Sequence, residues 1–242
     1  MKTLLLVFVS FFLLIGCESN KTTEPETGMG MLEMYMTVWN AYGEDFGKVA
    51  NIPANPKQVY TTELINIRHL IPEIQVTTDE IEAGVAANSV DWITIYQSDE
   101  EMLHTDREVS IEIPTGDYRG IRIVQRNLMY WVCTNDGDVI EFPSLNDNEL
   151  APEELLVNTF GEEGLYEIDG EGNFYLYHDG EKLGTFEILP GSNTKVTMRL
   201  NIQTIDWHDN DGSGDWSYGD ELSNWTLPEG IETMSDFIVE YY

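Results

Sequence analysis

The residues best placed to do chemistry lie in one run, Asp209-Asn210-Asp211-Gly212-Ser213-Gly214-Asp215-Trp216-Ser217-Tyr218-Gly219-Asp220. Oxygen-bearing side chains recur there at Asp209, Asp211, Ser213, Asp215 and Ser217, and Asp220 closes the run. A hard cation gathers about six to eight oxygens near 2.4 Å, and alternate side chains of a tight loop converge on one point. Gly214 gives the backbone the freedom such a bend needs. Calcium suits this donor set better than magnesium, which keeps its waters. The competing reading is a solvated acidic turn in an acidic chain.

Other chemistry finds fewer supports. His69, His104, His178 and His208 show no His-Glu-x-x-His run and no paired metal-ligand spacing. No Gly-x-Ser-x-Gly elbow and no phosphate-cradling glycine loop occurs. With 44 acidic residues, a glycosidase pair cannot be nominated from spacing. Cys133, between Val132 and Thr134, reads as an inert core thiol. The expectation is a protein that is not an enzyme. Around the loop stand Trp207, Trp216, Tyr218 and Trp225, which could form a flat aromatic platform for a glycan or pack one end of the fold.

The acidic run resembles an EF-hand calcium loop, with Asp209, Asp211, Ser213, Asp215, Ser217 and Asp220 at ligand positions 1, 3, 5, 7, 9 and 12 and Gly214 at position 6. The resemblance implies calcium, a backbone carbonyl at position 7 and a water through Ser217. Two departures stand out. Asp220 replaces the bidentate glutamate, although Glu221 adjoins it, and Trp216 occupies an ordinarily apolar, paired position. The flank IQTIDW reads as a strand, so the loop belongs to a β context.

At the other end, MKTLLLVFVSFFLLIGC carries Lys2, an apolar run from Leu4 to Ile15 too short to span a bilayer comfortably, and Gly16 directly before Cys17. Leu14-Ile15-Gly16-Cys17 resembles the bacterial lipobox. That resemblance implies a signal peptide over 1–16, lipidation of Cys17 with palmitate-type chains and attachment to the cell envelope. Glu18 after the cysteine points by the same analogy to the outer membrane. Residues 17–28 are polar and short of apolar groups, so they read as a flexible tether.

Forty-four acidic residues against twelve basic give a net charge of −32, which leaves no basic patch for phosphate and excludes nucleic acid as a partner. Membrane attachment would come through the N-terminal lipid, and a glycan or protein ligand stays open. Once Cys17 is acylated, Cys133 has no partner for a disulfide.

The elements that must position these residues read as β. Leu32, Met34, Met36 and Val38 recur with period two. Residues 59–71 fit either a helical stripe or a strand, and the strand is preferred. A short helix could open at Asp79-Glu80-Ile81-Glu82, and one or two helical turns could lie within 146–164. From Val90 to Trp207 the strand and turn spacing suits about eight strands, with Asp136-Gly137 reversing a hairpin and 194–207 long enough for one bent strand. Trp225, Phe237, Val239 and Tyr241 suggest a packed terminal strand.

The expected fold is all-β, an antiparallel two-sheet β-sandwich of the prealbumin-like or immunoglobulin-like kind over 29–242, with short irregular or helical insertions. DWITIY followed by IPTGDYRGIRI, from Asp91 to Val124, resembles a β-sandwich domain of unknown function found in anchored bacterial lipoproteins. It implies a fold and transfers no catalytic residues. The expected role is a non-catalytic, membrane-anchored, calcium-stabilised envelope or surface protein. The alternatives are a glycan- or ligand-binding module using Trp207, Trp216 and Trp225, and a fimbrial or adhesin-like subunit assembled by strand addition.

Overall fold

The computed structural model describes residues 28–40, 58–135, 138–144, 152–179, 183–210, 212 and 220–242. The strands are β1 Met29–Val38, β2 Gln58–Leu70, β3 Glu73–Thr77, β4 Ile93–Gln97, β5 Glu101–Leu103, β6 Glu108–Pro114, β7 Gly116–Tyr118, β8 Gly120–Arg126 and β9 Met129–Asn135. They continue as β10 Asp138–Pro143, β11 Leu155–Gly161, β12 Gly164–Ile168, β13 Phe174–Asp179, β14 Phe186–Ile188, β15 Asn193–Leu200, β16 Thr204–Asp209, β17 Glu221–Thr226 and β18 Ser235–Tyr241. Single 3-10 turns at Ala87–Ser89 and His104–Asp106 interrupt them. The protein is all-β, as its period-two runs require.

Among the described residues, four sheets replace the expected two. A four-stranded sheet runs β18-β15-β1-β6, with β1 parallel to β15 and antiparallel to β6. An antiparallel sheet runs β13-β12-β11-β8-β3-β4. A third runs β10-β9-β2-β16-β17, with β5 pairing to the end of β2, and β14 pairs β7 in a two-stranded ribbon. The first two sheets share one core, in which Leu32, Met34 and Met36 of β1 and Val196 of β15 meet Ile74 and Val76 of β3, Ile121 and Ile123 of β8 and Phe160 of β11. At the ribbon, Tyr118 stacks on Phe186 at 5.0 Å and joins that core.

The third sheet is packed on both faces. Leu64, Ile67, Cys133, Ile205 and Trp207 fill one core, while Ile65, Val132 and Val139 fill another. Alternation sends Leu64 and Ile65 to opposite faces, and a bulge between Leu64 and Asn66 returns Ile67, three residues on, to the face of Leu64. That explains why 59–71 lacked a clean alternation: a strand buried on two faces reads as a continuous apolar run.

Other expectations yield to local bonding. Residues 79–82 form no helix, because Asp79 accepts the Asp91 amide at 2.7 Å and donates its own amide to the Thr77 hydroxyl at 3.0 Å. Residues 155–161 form β11 between β8 and β12 rather than a helical turn. The long strand of 194–207 divides into β15 and β16, which join different sheets. Asn201 sits fully buried at the break, its amide nitrogen donating to the Thr233 carbonyl and its oxygen accepting from Arg199 Nε, both at 3.1 Å.

Candidate functional site

β16 and β17 form an antiparallel hairpin, with a register shift between Asp206 and Trp207, and the acidic run is the loop that joins them. The strand-like flank is therefore as expected. At the neck, Asp209 and Asp220 are both fully buried. Asp209 Oδ1 accepts the Gly212 amide at 2.6 Å, and Asp220 Oδ1 accepts the Asn210 amide at 2.7 Å. Each carboxylate thus turns toward the loop backbone, and Gly212 takes a φ of 74°, where glycine costs least. Beside them, the Tyr60 phenol is pushed up by burial first and by the Asp209 carboxylate second.

Of the six expected ligands, Asp209 and Asp220 are brought together, while Asp211, Ser213, Asp215 and Ser217 lie outside the described residues, as does Cys17. Among the described residues no group of three or more His, Cys, Asp or Glu is arranged to hold a metal ion.

The aromatic residues do not gather into a platform on the described surface. Trp207 is only 2% exposed and stacks on Tyr60 at 5.2 Å and Phe142 at 6.1 Å, so its faces are occupied by the core. The alternation of β16, with Ile205 and Trp207 both buried, turns it inward. Trp225 is 56% exposed, and Trp216 and Tyr218 lie outside the described residues.

Compared with protein-family models, curated proteins and solved structures, the chain matches none. Cys133 is fully buried, and burial pushes its thiol up to about 12, the inert core position expected of it.

Sequence reasoning missed a buried cluster of two neutral histidines and one arginine. β5 pairs with β2, setting His69 opposite Met102 and carrying the His104–Asp106 turn onto β2. His69 Nε2 then lies 3.1 Å from His104 Nδ1 and 3.0 Å from Arg107 Nη1, with Arg107 Nη2 donating to the His69 carbonyl at 3.1 Å. A guanidinium only donates, so His69 Nε2 accepts from Arg107 and carries the ring proton on Nδ1, and His104 Nδ1 meets the same single lone pair as a second, competing donor. His69 Nδ1, His104 Nε2 and Arg107 Nε remain buried without a hydrogen-bond partner. Burial and the neighbouring guanidinium hold His104 down to about 3; burial first, then His104 and Arg107, keep His69 well below its usual range. No local spacing signals this cluster, since its members meet only through the β2–β5 pairing.

Proposed function

We propose that the chain is a non-catalytic, lipid-anchored envelope protein with a binding or structural role, whose 209–220 loop takes a calcium ion. The observation that carries the calcium reading is the neck. The first and last ligand positions are both withdrawn from solvent and drawn together by one hairpin, with their carboxylates bonded to loop amides. A divalent cation there would offset the loop carboxylates of a chain whose net charge is −32. The anchor reading rests on the lipobox-like residues ending at Cys17, and acylation at more than one chain would hold the protein stably on a membrane. No helix among the described residues is long and apolar enough to cross a membrane.

Calcium titration of the full-length chain in detergent micelles tests the loop, with thermal melts alongside. The expected result is calcium heat and a raised melting temperature, both lost in Asp211→Ala. Equal heats and melts for the two proteins would remove calcium from the reading. For the anchor, Cys17→Ser should abolish incorporation of labelled palmitate and move the chain out of the membrane fraction. Unchanged fractionation and labelling would remove the lipid.

A further inference from the structure

We propose that the outer edge of β18, together with the cleft beside it, takes up an extended, lysine- or arginine-bearing strand of a partner protein. The inference rests on the binding role proposed above and on neither the lipid nor the calcium.

β18 ends its sheet, with β15 on one side and no strand on the other among the described residues. Asn193 and Tyr242 exchange both backbone bonds, at 2.9 and 3.4 Å, and Asn201 donates to the Met234 carbonyl at 2.7 Å. Alternation along the register then directs the backbone groups of Asp236, Ile238 and Glu240 toward β15 and those of Phe237, Val239 and Tyr241 outward. Such an edge is a template for pairing unless lysine, proline or a bulge guards it. β18 contains no lysine or proline, and its register runs without a bulge. Its own charges are engaged within the sheet, Asp236 with Arg199 at 2.6 Å and Glu240 with Lys195 at 3.1 Å.

The residues whose backbone faces outward also line a cleft of about 480 Å³. Phe237, Val239 and Tyr241 line it together with Phe186 and Glu187 of β14, and the Glu187 amide donates to the Tyr241 hydroxyl at 3.3 Å. The cleft also takes in Asp117 and Glu162, and among the described residues none of these three carboxylates has an ion pair or a side-chain hydrogen bond. Arg119, the cation beside them, is engaged by Glu80 at 3.4 Å.

Apolar walls between unpaired carboxylates suit a side chain with a long apolar stem and a cationic head. An incoming strand satisfies the edge with its backbone and sends alternate side chains into the cleft, so main-chain bonds give affinity and the cleft gives specificity. The occupant is basic rather than a second copy of this chain, because two chains of net charge −32 repel.

The test uses the full-length chain in detergent micelles, titrated with a fluorescent octapeptide of alternating lysine and valine. The controls are its glutamate–valine counterpart and a version N-methylated on the amides that would face the edge. The lysine peptide should bind, with both controls at least about tenfold weaker, a difference of roughly 1.4 kcal/mol. Val239→Pro removes an outward amide without breaking a bond to β15 and should weaken binding by a similar factor. Glu162→Lys with Glu187→Lys should do so through the cleft, on the surface and without disturbing the core.

Equal binding of the N-methylated peptide would overturn the proposal, leaving only nonspecific charge attraction. Undiminished binding by both folded variants would overturn it as well. So would self-association of the chain in place of peptide binding. A chain that labels with palmitate and takes calcium yet ignores the peptide loses this proposal alone, and one that binds the peptide without labelling loses only the anchor.

Discussion

The core shared by the β1 and β8 sheets and the core of the β2 sheet solve burial differently. The first is built from leucine, methionine, isoleucine and valine, with Tyr118, Phe160 and Phe186 closing it. The second region buries Trp207 and Cys133 with Thr62, Asn66 and the loop-neck aspartates, and at the end of its β2 strand His69, His104 and Arg107 are withdrawn from solvent where Arg107 lies over Tyr96 of the first. Apolar burial responds little to pH or salt, whereas buried polar groups depend on their partners and protonation. The contrast teaches that the first region, whose buried polar groups are the threonines Thr77, Thr159 and Thr194, rests mainly on apolar area, and the second also on groups that can change charge.

Four substitutions sharpen or break that contrast. Ile121, fully buried in the apolar core, should lose about 2–5 kcal/mol on change to alanine. Denaturant melts at pH 7 and pH 5 should give the same loss, and a strong pH dependence would break the contrast. Asn201→Ala, at the junction where β15 passes to β16, should cost about 1–3 kcal/mol, because it strands the Thr233 carbonyl and Arg199 Nε. Near-neutral melts would show that the junction needs no such bonds.

The third change acts through protons. An unfolded histidine titrates near 6.5, while folded His104 stays neutral to about 3. As pH falls below about 6.5 the unfolded chain binds protons that the folded chain refuses, so this contribution to stability declines down to about pH 3. Above pH 6.5 it is flat. His104→Leu removes one such group, and its stability relative to the parent should improve on acidification by at most about 1.4 kcal/mol per pH unit. Parallel curves would mean that His104 is protonated in the fold. The smallest effect is expected at Arg68, which lies over Tyr130 at 4.6 Å and bridges Glu101 and Glu141. Glu101→Gln should change stability by under about 1 kcal/mol, and the change should fade in molar salt.

How much of this is legible in the sequence depends on how local the cause is. The period-two run Leu32, Met34, Met36, Val38 states β1 outright, and the β9–β10 hairpin follows from its turn and flanking strands. The loop between β16 and β17 shows itself through side-chain spacing. Sheet membership does not, because Val109 and Ile113 on β6 and Ile121 and Ile123 on β8 face one another across a core rather than along one sheet. The division at Asn201 depends on Thr233 and Met234, some thirty residues away by chain number. His69 and His104 meet only through β2 and β5 for the same reason, and Trp207 belongs to the core because β2 supplies Tyr60 to stack on it.

The parallel pairing of β1 with β15 also bears on the order of assembly. Met31 aligns with Asn193 and Val38 with Leu200, so the first described strand lacks one neighbour until most of the chain has been made. Its other neighbour, β6, arrives sooner, but β18 can join only after β15 is seated. A polypeptide delivered N-terminus first therefore carries an apolar, half-paired strand through most of its synthesis. Pairing over such separations is slow and exposed to aggregation. Helper proteins that shield unpaired strands during synthesis would find their longest-lived target in the ten residues of β1.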